Sequence, residues 1–229
     1  MHKFTELLYN QNHFSEIVVL AMELKKSTQK RNKLLSAALD VFSVYGFNGA
    51  SLDEIAQLAH MHKSNIFYYY ENKEALYVEV LMSVLQKWIE PLQLFESGLA
   101  PEEILTQYIT QKIEFSKTNP KASKLFALEI IQGAPYIQTV LKGSIKKHVK
   151  RKLKVLQQWQ AEGKMAAHID PELFVLNLWS ITQSYADFDA QFAAILGKTL
   201  RNRSFHQRAI QHTVAMLLHG SLTSPAHEE

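Results

Sequence analysis

The stretch SLDEIAQLAHMHKSNIFYYY, residues 51–70, holds two short helical signals around a tight turn. Ser51 is an N-cap residue type with Glu54 three positions on, the spacing of a capping box, and Leu52, Ile55, Ala56 and Ala59 form the apolar stripe of a short helix. After His60-Met61 a third helix, about Lys63 to Tyr69, carries Ile66 and Tyr69 inward. Small Ala56 and Ala59 let the two helices cross closely, and Met61 and Ile66 fill the angle between them. This is helix-turn-helix spacing. It leaves His62, Lys63, Ser64, Asn65, Tyr68 and Tyr69 as candidates for an outer face, residue types suited to a nucleic-acid groove. Lys and Asn bond base edges, whereas Tyr hydroxyls, the Ser51 hydroxyl and helix N-terminal amides suit phosphate oxygens. Taken alone, these residues also fit an ordinary corner between two helices.

Outward from this motif, a first helix is expected from about Gln29 to Tyr45, with Leu34, Leu35, Ala38, Val41, Phe42 and Tyr45 on one stripe and Gly46 at its end. Asn72 caps a long fourth helix striped by Leu76, Val80, Val84 and Trp88 and stopped before Pro91. Pro101 and Asn119-Pro120 start two more, the second ending at Gly133-Ala134-Pro135, and a long helix follows to Gly163. Asp170-Pro171 begins a helix of about 25 residues towards Gly197, and a last one spans Ser204 to His219. The expectation is an all-α chain of about nine helices, three small and six larger. Residues 1–27 form an N-terminal extension, helical or disordered, in which Met22 offers a second start; 28–88 form the helix-turn-helix domain and 89–229 a larger helical body.

Composition narrows the function classes. The 229 residues are 47% apolar, enough for a core, and 8 Gly with 6 Pro leave too few turn residues for a many-stranded β fold. The absence of Cys excludes disulfides, thiol catalysis and thiolate metal sites. No apolar run approaches a membrane span, the longest near the N-terminus being Ile17 to Met22, and no signal peptide is read, so a cytoplasmic protein without membrane contact is expected. A formal charge of +3 does not by itself indicate nucleic acid.

The succession Leu34, Ala37-Ala38, Phe42, Gly46-Phe47, Ser51, Ile55-Ala56, Ala59, Lys63-Ser64, Tyr68-Tyr69-Tyr70 and Asn72-Lys73-Glu74-Ala75-Leu76 resembles the N-terminal domain of TetR-type transcriptional regulators. The resemblance implies that the second and third helices dock in the DNA major groove, that Lys73 touches a phosphate at the start of helix four, and that the C-terminal helices hold a ligand pocket and a dimer interface. It further implies a homodimer on palindromic double-stranded operator DNA. Two departures stand out. His60 occupies a turn position where the family usually has Gly, and a left-handed backbone is less costly for His than for most residues. His62 replaces the usual Ser, weakening the cap of the reading helix.

Further motifs, Trp88-Ile89-Glu90-Pro91-Leu92, residues 119–126, Gly133-Ala134-Pro135 and residues 178–188, resemble the pyrimidine-responsive branch of that family, the RutR-like repressors. This implies uracil or thymine as effector, the alternative being an unrelated hydrophobic effector. Trp179 and Gln183 stand one helical turn apart, an indole face for stacking beside an amide that matches an imide edge. If the helices pack as in the family, Tyr185, Asp187 and Trp88 line the same cavity. The plainer alternative makes Trp179 core and Gln183 a satisfied polar group at the dimer seam.

The remaining features read as background. Residues 142–154 hold seven Lys/Arg and no acid, but Leu141, Ile145, Val149 and Leu153 make the opposite face apolar, so a solvated amphipathic helix is expected. The ten His are scattered, and His148, His168, His206 and His212 show no second ligand at i+4; no metal, cofactor or catalytic residue is expected. Glu129, between Leu128 and Ile130-Ile131, reads as a buried, paired carboxylate. A rival reading, a helical enzyme using Glu129, Asp187 and His168 on a nitrogenous substrate, lacks a nucleophile–base pair, a metal cluster and a phosphate loop. A third, a membrane-surface protein, would act through residues 1–26 and the basic helix.

Overall fold

The computed structural model describes the backbone of residues 2–221 and the side chains of residues 25–219, and no strand occurs among the described residues. The chain divides into two compact units, Met1–Val80 and Leu81–Glu229.

In the first unit α1 runs from His2 to Gly49 with a kink at Gly46, whose backbone (φ 65°, ψ −174°) is left-handed. The extension is therefore helical and continuous with the expected first helix, which does not begin at Gln29. The stripe Leu34, Ala38, Val41 and Phe42 is buried as expected, but Tyr45 is 52% exposed. Beyond the kink Phe47 packs its ring edge-on against Tyr77 instead. Helices α2 (Leu52–Leu58) and α3 (Lys63–Tyr69) follow. The Ser51 hydroxyl accepts from the Asp53 N–H at 3.2 Å, which caps α2, and no bond from Glu54 completes a capping box among the described residues. Helix α4 spans Lys73–Ile89, capped by Asn72, whose Oδ1 accepts from the Ala75 N–H at 2.8 Å. Ile55, Ala56, Ala59 and Ile66 close the core against the α1 stripe, with Phe42 and Tyr77 edge to face at 4.9 Å.

In the second unit the chain passes Pro91 in a 3₁₀ segment, Glu90–Glu96, and continues through α5 (Pro101–Thr118) and α6 (Pro120–Ile131). A short α7 (Gln138–Val140), a π turn (Leu141–Ile145) and α8 (Lys146–Ala161) form the next stretch. Then come α9 (Pro171–Asp187), α10 (Asp189–Leu196) and α11 (Arg203–Ser221). The single helix expected over 171–196 is thus two, broken at Phe188 (φ −112°, ψ 26°), whose carbonyl accepts from Phe192 and opens α10. Asp170 caps α9 through the Glu172 and Leu173 N–H groups. Helix α5 is the axis: Ile104, Leu105, Tyr108, Ile109 and Ile113 are buried, and α9, α11, α6 and the 3₁₀ segment pack around it. No helix among the described residues is long and apolar enough to cross a membrane.

The first unit's core gives a direct contrast. Phe42→Ala, at a fully buried edge-to-face site, should lower stability by about 3–5 kcal/mol in urea unfolding, while Tyr45→Ala on the exposed side should change it by no more than about 0.5 kcal/mol.

Candidate nucleic-acid interface and effector site

Helix α3 turns out of α2 through His60, which takes φ 54°, so the left-handed position is occupied without glycine. His62 is the N-cap of α3 but makes no side-chain cap bond, and its ring is exposed. Burial of Ile66 fixes the rotation of α3 and turns Lys63, Ser64 and Tyr68 outward, Tyr68 being 79% exposed. Asn65 and Tyr69 are half-buried beside them; the Tyr69 hydroxyl lies 3.5 Å from the Ser27 carbonyl of α1. The expectation that Tyr69 points inward is met only in part. Lys63 pairs with Asp53 at 2.8 Å, an exposed bridge worth at most about 1 kcal/mol and so no obstacle to a stronger anionic or base partner. Ser51 is exposed at the start of α2. Lys73 opens α4, its Nζ 4.8 Å above the Phe47 ring and 3.5 Å from the Asn48 carbonyl, which holds the cation at the helix N-terminus.

The candidate effector residues divide into two groups. Trp179 is half-buried against the core and its indole N–H donates to the Tyr108 hydroxyl at 3.0 Å, so that edge is engaged and only the ring face is left for stacking. Gln183, one turn on, is half-buried, with no hydrogen bond of its amide among the described residues. Tyr185 bonds Thr213 through its hydroxyl at 3.2 Å and meets the Phe192 and Phe205 rings, ties that link α9 to α10 and α11.

Trp88 and Asp187 belong instead with a residue that sequence reasoning passed over. Lys112 of α5 is 3% exposed, its Nζ 4.4 Å from the centre of the Trp88 ring. Burial pushes its pKa down to about 7 against the pull of Asp187. Burial raises Asp187 to about 6, against Lys112 and Lys124. The Asp187 Oδ1, the Trp88 Nε1 and the Ser123 Oγ are buried without a hydrogen-bond partner among the described residues. Two donors, an acceptor and a hydroxyl are thus held out of water in one unit, where buried polar groups ordinarily find partners. The signal was present in the sequence: Lys112 stands at i+4 from Tyr108 and i+8 from Ile104, inside the apolar stripe.

Other expectations resolve more simply. Glu129 is fully buried and its Oε1 accepts from the Tyr136 N–H at 2.8 Å, tying down the loop after α6, while His168 is exposed. The basic run 142–154 is not uniformly solvated: Lys152 is 4% exposed and pairs with Glu96 at 2.5 Å. No group of three metal-ligating side chains occurs among the described residues.

Comparison with known proteins places the two units separately. Residues 34–80 match the family model for bacterial regulatory proteins of the tetR family, and residues 81–224 match that of the YcdC-like protein C-terminal region. The chain is 39% identical over 191 residues to the HTH-type transcriptional regulator RutR of Escherichia coli K12, covering 83% of this chain and 90% of that protein. In fold it is similar to the ketosteroid transcriptional regulator KstR2 of Mycobacterium tuberculosis, with a TM-score of 0.68 at 17% identity, covering 85% of this chain and 95% of that one. A TetR-like transcriptional regulator from Rhodococcus sp. RHA1 aligns with a TM-score of 0.61 at 22% identity over 83% and 94% of the two chains.

The buried ammonium has a thermodynamic signature. Because the folded-state pKa of Lys112 is depressed, the unfolded chain holds more protons between about pH 7 and 10.5, and stability rises with pH across that window. Lys112→Met removes the charge at similar volume and should stabilise the protein at pH 7 by about 1–4 kcal/mol. Urea unfolding at pH 7 and pH 10 should show the gap between variant and wild type narrowing; a gap independent of pH would mean that Lys112 is not the group held neutral.

Proposed function

The chain belongs to the TetR family of bacterial regulatory proteins, a DNA-binding transcription regulator, and from that premise we propose that it is a homodimeric repressor of pyrimidine or nitrogen-compound metabolism genes released by a small ligand such as uracil or thymine. The observation that carries the effector reading is Gln183 one turn from the Trp179 face, in the same unit as the unsatisfied Trp88 and Asp187 groups beside Lys112 and the unsatisfied Ser123 hydroxyl. A flat imide stacks on an indole and presents carbonyl and N–H groups in alternation, which answers an amide, an ammonium and a carboxylate at once. The relation to RutR across most of both chains supports the same class.

On the DNA side, Lys63 and Asn65 read base edges, while Ser51, Ser64, Tyr68, Tyr69 and Lys73 hold phosphates and His62 meets a base or phosphate. A dimer on palindromic DNA needs two α3 helices about 34 Å apart. Exposed Leu173, Leu176, Ile195, Leu196 and Met216 on α9, α10 and α11 support a dimer face there. Helix α4 begins at Lys73 and ends just after Trp88, so an effector that shifts Trp88 acts on the helix that holds the phosphate contact. A ligand-bound state disfavouring DNA by about 2–3 kcal/mol lowers affinity roughly 30- to 150-fold.

Gel shift on DNA upstream of the gene tests the docking. Lys63→Ala and Asn65→Ala should each lose about 1–3 kcal/mol of base discrimination, whereas Lys73→Ala should weaken operator and unrelated duplex alike; unchanged binding by Lys73→Ala would refute this docking.

Calorimetry with uracil and thymine tests the effector. Gln183→Leu should fold and bind DNA as wild type does yet bind the pyrimidine about 1–3 kcal/mol more weakly. A wild-type protein that binds neither pyrimidine would transfer the reading to an unrelated hydrophobic effector.

A further inference from the structure

Residues 25–33, KKSTQKRNK, carry five cations, and no acidic residue stands between Glu23 and Asp40. All nine lie on α1, where Lys26, Lys30 and Lys33 at i, i+4 and i+7 share one face. The adjacent row, Ser27, Arg31 and Leu34, turns towards the core, with Leu34 fully buried and Arg31 bound to Glu79 and set over the Tyr70 ring. Lys26, Lys30 and Lys33 are exposed and have no acidic partner among the described residues. Like charges at this spacing repel, so the row is unfavourable to the helix until an anion lies against it.

Beside the row is a cleft of about 360 Å³ lined by Lys26, Ser27 and Lys30 of α1 and by Asn65, Tyr68 and Tyr69 of α3. Two ammonium groups, a carboxamide and phenolic hydroxyls therefore face one space, and no carboxylate lines it among the described residues. These are the donors that proteins aim at phosphate oxygens, and three of the six residues belong to the helix assigned to the groove. The α1 segment abuts that helix through the Tyr69–Ser27 contact.

We infer that this cleft is a second phosphate clamp, in which a phosphodiester of the DNA strand beside α3 seats between Lys26 and Lys30 of α1 and Tyr68 of α3, leaving the Asn65 carboxamide for the base edge. The inference rests on the proposed docking of α3. It extends the DNA interface to a segment outside the helix-turn-helix and outside residues 34–80 that match the family model. The clamp contributes affinity and orientation and no sequence information, since every phosphate is alike.

The test is fluorescence anisotropy of a labelled upstream duplex and a scrambled duplex, titrated from 50 to 200 mM KCl with wild type, K26A/K30A and K26R/K30R. Each lost phosphate contact flattens the plot of log affinity against log salt by about 0.9, so K26A/K30A should flatten it by about 1.8. Over that fourfold range wild type then loses about tenfold more affinity than the alanine variant. The preference for upstream over scrambled duplex should stay unchanged, and K26R/K30R should restore the slope. An unaltered slope in K26A/K30A, or an arginine variant as flat as the alanine one, overturns the clamp while leaving the helix-turn-helix reading in place. Failure of wild type to bind either duplex at 50 mM KCl overturns both.

Discussion

A helix that is surrounded on nearly all sides must bury whatever its stripe contains, and α5 buries an ammonium group. Four of the neighbouring elements pack on Ile104, Leu105, Tyr108, Ile109 and Ile113, and the same periodicity carries Lys112 out of water. An isolated buried charge is costly enough that the surroundings must answer it. They do so incompletely: the Trp88 ring offers its negative face and Asp187 lies near enough to be felt, but no carboxylate closes an ion pair among the described residues. The second unit thus keeps polar groups in tension with their environment. A core selected for stability alone would hold a methionine at 112.

The same α5 explains why Trp179 differs from Trp88. Tyr108, fully buried, has its hydroxyl bonded by the Trp179 indole, which satisfies two polar groups and locks the ring plane. Burial also raises the tyrosine's pKa further above its ordinary value, so it stays a neutral partner across physiological pH. Trp88, by contrast, is set among Phe115, Phe126 and Lys112 with its N–H unanswered. One tryptophan is pinned as a wall; the other presents an open donor. The two indoles therefore differ in what they leave open, one a ring face and the other an N–H.

Where local chemistry decides an element, the sequence was sufficient. Ser51, Asn72 and Asp170 cap the helices they precede, Pro101 and Pro120 stand at first positions, and α3 runs from Lys63 to Tyr69 as its spacing predicts. Where tertiary packing decides, it was not. Nothing in Asp187-Phe188-Asp189 marks a helix break, because neither Pro nor Gly is present, and the ties that hold α10, Asp189 to Lys124 of α6 and Phe192 to Tyr185, are made across the fold. Likewise Tyr45 has the right period for the core, but the chain bends at Gly46 and Phe47 takes the place against Tyr77. The site followed the same rule. Outward residues of α3 were legible once Ile66 fixed its rotation, whereas the burial of Lys112 and Ser123 depends on which neighbours pack over α5 and α6, which no local pattern states.

Charge shows most plainly why patterns must be read in three dimensions. A net charge of +3 is the small remainder of 25 cations and 22 anions, yet residues 25–33 and 142–154 between them hold twelve cations and no acid. The two runs have different fates. On α8 the helix buries Leu156, Trp159 and the stem of Lys152, whose ammonium meets Glu96, so part of that charge is neutralised within its own unit. On α1 the buried row takes only Arg31 into a pair and leaves Lys26, Lys30 and Lys33 in a line beside a cleft. A polyanion entering near α3 finds there a field with no internal counterion among the described residues, which is the condition under which lysines add most to association.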